Sequence, residues 1–164
     1  MYCSYDKRKY PCLNLSNCSV EVAAGWCWLV KTLFDTLDHY FELNDAAPEI
    51  LLTEIYQKMG FLQVRHNYEE TDQTTRNIIH AFEASSKYIC EWCCSIYAGG
   101  DTRNSPWIVN ACASCLHKNP RWQSLEWVAF TETPNLSGLR DILPLIRTSV
   151  YKDRLVELAS TRLL

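Results

Sequence analysis

Residues 75–98 read TRNIIHAFEASSKYICEWCCSIYA. The reading of this stretch decides the fold expected for the whole chain. Ile78, Ile79, Ala81, Phe82, Ala84, Tyr88, Ile89, Cys90, Trp92, Cys93, Cys94, Ile96 and Tyr97 fall on every face of a 3.6-residue turn. A helix that is apolar all round is buried. One helix from Thr75 to Ala98 would be roughly 36 Å long at about 1.5 Å per residue. Gly99-Gly100 supplies its stop. Ser105-Pro106 then gives an N-cap and a first-turn proline for a second apolar helix, from Trp107 through Leu116 to about Asn119-Pro120. The expectation is a central helical hairpin over residues 75–116, with a short amphipathic helix from Trp122 to Phe130 behind it.

Two apolar helices must be wrapped. Val20, Val22, Ala23, Trp26, Cys27, Leu29, Val30, Leu33, Phe34, Leu37, Tyr40 and Phe41 recur at helical steps and predict an amphipathic helix over 19–43. Gly25 weakens it by roughly 1 kcal/mol relative to alanine. Pro48 opens a second predicted helix over 49–59, which carries Ile50, Leu51, Leu52, Ile55, Tyr56 and Met59 and stops at Gly60. A short helix over 136–146, interrupted by Pro144, and a last amphipathic one over 149–163 complete the jacket. Residues 1–18 read as irregular and 61–74 as polar. No strand is expected. The fold class read from this pattern is all-α, one helical domain over 1–164.

The chain has 164 residues, 48% of them hydrophobic and 21% charged, with a net charge of −3. That balance is globular rather than disordered. It lacks the basic footprint of a nucleic-acid binder. No uncharged apolar run reaches the ~18 residues of a membrane span. No apolar signal region follows the N-terminus, so a reducing compartment is expected and the nine cysteines are not read as a disulfide framework.

Arg76-Asn77-Ile78-Ile79-His80-Ala81-Phe82 resembles the opening of the first homology region of the Bcl-2 family of apoptosis regulators. Ser85-Ser86 falls where that family has two small residues. Leu116-His117-Lys118-Asn119-Pro120-Arg121-Trp122 resembles the second homology region, and 123–130 the short helix after it. The tryptophan and glycine of the first region and the glycine pair of the second are missing, an erosion similar to that of viral members. The resemblance implies a Bcl-2-like bundle with a buried central hairpin. It implies an anti-apoptotic role in the host cytoplasm, at or near mitochondria, with no cofactor and no enzymatic activity. The partners it implies are the amphipathic helices of host pro-apoptotic proteins, held in a surface groove, and an exposed groove also lets two copies pair. Arg76 would meet the partner's aspartate, with Asn77 as a neutral substitute. Ile79 and Phe82 would form the floor, and Leu52, Ile55 and Met59 a wall. The third homology region has two possible places, within 19–43 or over 49–59.

Two other constellations compete with that reading. Cys90-x2-Cys93 and Cys112-x2-Cys115, with eighteen residues between the pairs, have the spacing of a four-cysteine zinc site, with His117 as a spare ligand. The pattern loosely resembles the zinc-binding half of polyomavirus small tumour antigens. It implies a zinc-binding accessory protein that recruits a host factor. Against it, both pairs lie in apolar runs expected to be helical, where free cysteines are ordinary core residues. Gly25-Trp26-Cys27-Trp28 resembles the nucleophile segment of papain-like viral leader proteases. Cys27 falls inside a predicted helix, however, and none of His66, His80 and His117 stands in a recognisable base setting.

Overall fold

The structure is a computed structural model. It describes residues 3–45, 50–67, 71–96, 100–103, 108–118, 126–129, 136–147 and 149–161. In chain order the elements are β1 (Ser19–Glu21), α1 (Cys27–Leu43), β2 (Leu52–Lys58), β3 (Phe61–His66), α2 (Gln73–Ser86), β4 (Gly100–Arg103), α3 (Ala113–Lys118), β5 (Glu126–Ala129), α4 (Ser137–Ile142) and α5 (Val150–Thr161). The fold is mixed α/β, and the all-α expectation is overturned.

The central hairpin over 75–116 does not form. Asp72 starts α2 as its N-cap, accepting hydrogen bonds from the amides of Thr74 and Thr75. The helix ends at Ser86, and 87–96 turn back on themselves. On the return side, among the described residues, only Ala113–Lys118 is helical, as α3. The predicted helix at 122–130 is corrected where it is described: 126–129 are β5, paired antiparallel with β4. Its remaining residues lie outside the described ones.

The predicted helix at 49–59 is strand β2, and it forms an antiparallel hairpin with β3 across Met59-Gly60. Both turn residues have positive φ, +52° and +83°. Two such residues make the tight turn whose twist matches paired strands. Gly60 therefore turns a hairpin rather than ending a helix. β1 adds in parallel on the other side of β2 through the α1 crossover, giving the order β1-β2-β3. The exposed edge of β3 is closed by α2: Leu62 N donates to Ser86 Oγ at 2.9 Å, and Val64 N to Glu83 Oε1 at 2.9 Å. Side chains thus satisfy a strand edge that otherwise invites pairing.

The helix buried on most sides is α1. Trp28, Leu29, Val30, Leu33, Phe34, Leu37 and Phe41 are all in the core, and its hidden Thr32 and Thr36 hydroxyls donate back to carbonyls four residues earlier. Helices α2 and α5 pack against it, and so does the N-terminal segment read as irregular. Tyr5 and Tyr10 set their rings tilted and edge-on against Phe34, and the Cys12 amide donates to Asp38 at 2.8 Å. At the far side Trp28 stacks on Tyr151 of α5. The last predicted helix is present as α5, and the short helix with Pro144 as α4 followed by a 3-10 turn. No helix among the described residues is long and apolar enough to cross a membrane.

Candidate metal centre

After α2 the chain makes a knuckle. The Cys90 amide donates to the Ser95 carbonyl and the Cys94 amide to the Cys90 carbonyl, both at 3.0 Å. Ile89 and Ile96 bridge across its base. Cys94 takes a left-handed φ of +60° to close the turn, a conformation that costs most side chains about a kilocalorie or more. The second arm is a helix start. Cys112 precedes α3, its carbonyl accepts from the amides of Cys115 and Leu116, and Cys115 sits one turn along.

These two arms converge. The four sulfurs of Cys90, Cys93, Cys112 and Cys115 all lie within 4.8 Å of one another, and Cys93 Sγ is 3.7 Å from Cys112 Sγ. A tetrahedron with zinc–sulfur bonds of about 2.3 Å has its sulfurs about 3.8 Å apart. A disulfide would bring two of them to about 2.05 Å, and all nine cysteines are free. Cys90, Val109, Ala111 and Leu116 form a satellite core around the cluster, with Trp92 packed against it.

The donors around the sulfurs suit thiolates. The Cys112 amide points at Cys90 Sγ at 3.4 Å, and the Ser95 hydroxyl lies 3.1 Å from Cys93 Sγ. Burial pushes the Cys90 thiol up to about 11, against the pull of the Cys93, Cys112 and Trp92 amides. Burial also pushes Cys93 up, but hydrogen bonds from the Ser95 side chain and amide, and from Cys115 and Cys90, outweigh it and bring Cys93 down to about 6. Cys115 is driven up by burial and then by its bonds to Cys93 and Cys112. Four thiols this close share their protons, so one ionises and its charge holds others neutral. A divalent cation at the centre of the four removes that repulsion.

The cluster is fastened to the body through backbone. Gly25 N donates to Glu91 O at 2.8 Å, and Trp26 Nε1 to Ile89 O at 2.7 Å. Asn110, fully buried, donates from Nδ2 to the Ser86 carbonyl at 2.8 Å and accepts at its own carbonyl from Glu91 N at 2.9 Å. Gln57 on β2 reaches the Ile108 carbonyl at 2.6 Å. The start of α1, the end of α2 and the tip of β2 therefore all hold one arm or the other. Glu91 itself is buried, and its Oε2 has no hydrogen-bond partner among the described residues. Burial raises its carboxyl to about 7, with the Asn110 amide pulling the other way.

The cysteine quartet read from the spacing is thus brought together, whereas His117 is not among the converging atoms. The residues assigned to a peptide groove are scattered. Leu52, Ile55, Ile79 and Phe82 are closed inside the main core, each at most 1% exposed. Met59 stands out at the hairpin tip. Arg76 Nη2 donates to Gln73 Oε1, and Asn77 Oδ1 accepts from Gln73 Nε2, both along the α2 surface. Cys27 is the first residue of α1, not a mid-helix one, and it contacts the buried Cys3 thiol. His39, His66 and His80 lie beside Glu42, Thr71 and Glu83, respectively. Gly25, Trp26 and Glu91, which seat the centre, were not anticipated; the only sequence hint was a glycine inside an apolar run. Comparison of the chain with protein-family models, with curated proteins and with solved structures returned no match.

Proposed function

We propose that this chain is a zinc-binding protein in which Cys90, Cys93, Cys112 and Cys115 hold one Zn²⁺ as a structural centre, and that the module so stabilised works by binding a partner rather than by catalysis. The convergence of two distant Cys-x-x-Cys pairs into one quartet, with a cross-arm sulfur contact of 3.7 Å, carries this reading. All-sulfur tetrahedral sets suit zinc or iron–sulfur chemistry. Four protein ligands leave no position for water or substrate, which is the mark of a structural rather than a catalytic zinc. The centre fixes both ends of the eighteen-residue connection that includes β4.

Metal analysis of the purified full chain tests the proposal. About one zinc per chain is expected, and a Cys93→Ser/Cys112→Ser variant should lose it and unfold at a lower temperature. A chain purified under reducing, zinc-replete conditions that carries iron, or no metal, contradicts it.

A further inference from the structure

We propose that the metal centre is also a peroxide-responsive switch, in which Cys93 and Cys112 join in a disulfide across the two arms and release the zinc. This rests on the zinc reading of the same four cysteines.

The four sulfurs are not equivalent. Cys93 is the exposed member, Cys112 and Cys115 are half-buried, and Cys90 is fully buried at 0%. Cys90 is shielded further by the Cys112 amide that points at its sulfur. An oxidant arriving from solvent therefore meets Cys93 first. On the facing arm Cys112 Sγ lies 3.7 Å from Cys93 Sγ, and Cys115 Sγ, also hydrogen-bonded to Cys93, lies within 4.8 Å. Cys94, the next residue, is a half-buried thiol outside the quartet, and its left-handed backbone belongs to the turn that sets Cys93 at the surface.

The chemistry balances with hydrogen peroxide as the two-electron oxidant. The Cys93 thiolate attacks one peroxide oxygen, the O–O bond breaks, and hydroxide leaves, giving a sulfenic acid. The Cys112 thiolate then attacks that sulfur, forming the S–S bond and expelling the second hydroxide. Two protons from solvent convert the two hydroxides to water. Sulfur is oxidised and peroxide reduced, while zinc keeps its charge throughout. Only Cys90 and Cys115 then remain as thiolates, and two ligands from opposite arms do not retain the ion against a chelator. The new bond keeps the arms tethered, so reduction in the presence of zinc rebuilds the centre.

The experiment starts from the full chain with its zinc content measured. It is treated with a few equivalents of hydrogen peroxide beside a chromogenic zinc chelator, and its disulfides are mapped by mass spectrometry of unreduced peptides. Expected are release of one zinc per chain, a single cross-link between Cys93 and Cys112, the same result in Cys94→Ser, and recovery of zinc after dithiothreitol. A zinc-loaded chain that keeps its metal, or one whose cross-link is Cys93–Cys115, Cys90–Cys93 or Cys93–Cys94, overturns this inference alone. A chain that carries no zinc before oxidation fails the underlying reading, and this inference with it.

Discussion

The amide of Gly25 donates a 2.8 Å hydrogen bond to the carbonyl of Glu91, and no side chain fits between them. A Cβ on Gly25 would lie 2.4 Å from the Cys90 carbonyl oxygen and 2.6 Å from that of Glu91. Both obstacles are backbone of the cysteine knuckle, which cannot swing aside as a side-chain tip can. Gly25→Ala should therefore cost about 2 kcal/mol or more, in the range of overpacked sites. It should also weaken zinc retention in competition with a chelator, although residue 25 touches no ligand sulfur. Chemical denaturation and chelator titration of the variant measure both. Unchanged zinc retention would mean that the knuckle is not seated through this contact.

Trp26 fixes the same knuckle from one residue further on. It is fully buried, and its indole N–H reaches the Ile89 carbonyl at 2.7 Å. Trp26→Phe keeps most of the apolar volume but leaves that carbonyl without its donor, at a cost of about 1–3 kcal/mol. Equilibrium unfolding by tryptophan-independent far-ultraviolet circular dichroism should show the loss.

Glu91 gives the protein a pH dependence of definite sign. Its carboxyl is raised by burial to about 7, so between about 4.5 and 7 the folded chain binds more protons than the unfolded one. Stability from this group is full at the low end of that window and is lost as pH rises through it. At about 1.4 kcal/mol per unit of pKa, the loss by pH 8 is on the order of 3 kcal/mol. A zinc–tetrathiolate centre has a net charge of −2, which pushes the neighbouring carboxyl the same way. Glu91→Gln should accordingly be more stable than the natural chain at pH 8, and the advantage should shrink toward pH 5. Paired denaturation curves at the two pH values provide the check.

Asp72 acts in the opposite direction. Partial burial pushes its carboxyl up, but hydrogen bonds from the Thr75 hydroxyl and amide, the Thr74 amide and the Tyr40 hydroxyl outweigh it and hold the group below the usual carboxylate range. That contribution is present above the unfolded value of about 4 and is lost as pH falls through the lower folded one. Asp72→Ala should cost about 1 kcal/mol at pH 7, and the difference from the natural chain should narrow below about pH 4. Thermal melts across pH 3 to 7 would show it.

What the sequence revealed of the fold depended on whether burial and period agreed. In α1 and α5 they agree, and both helices are where the apolar spacing put them, apart from β1 and a 3-10 turn ahead of Cys27. In β2 they conflict. A bulge lies between Leu52 and Glu54, so the buried residues of the strand, Leu52 and Ile55, stand three apart. That is a helix's spacing, and Gly60 then passes for a helix stop. β3 was the clearer clue, with Leu62 and Val64 buried at alternate positions. Over 75–98 the all-round apolar character has two sources, the inner face of α2 up to Ser86 and a cysteine knuckle beyond it. The cysteine spacing was legible, because two to four residues between the ligands of one arm is the usual zinc pattern, but the expected helical hairpin set it second to ordinary core burial. The seat beneath it was not, since Gly25–Glu91 and Trp26–Ile89 are contacts across more than sixty residues.

Zinc K-edge X-ray absorption on the purified, unoxidised chain tests the central claim most directly. The account predicts a single shell of four sulfurs at about 2.3 Å with no nitrogen or oxygen neighbour. A shell with a light-atom ligand, or zinc that washes out without altering the unfolding of the protein, would contradict it.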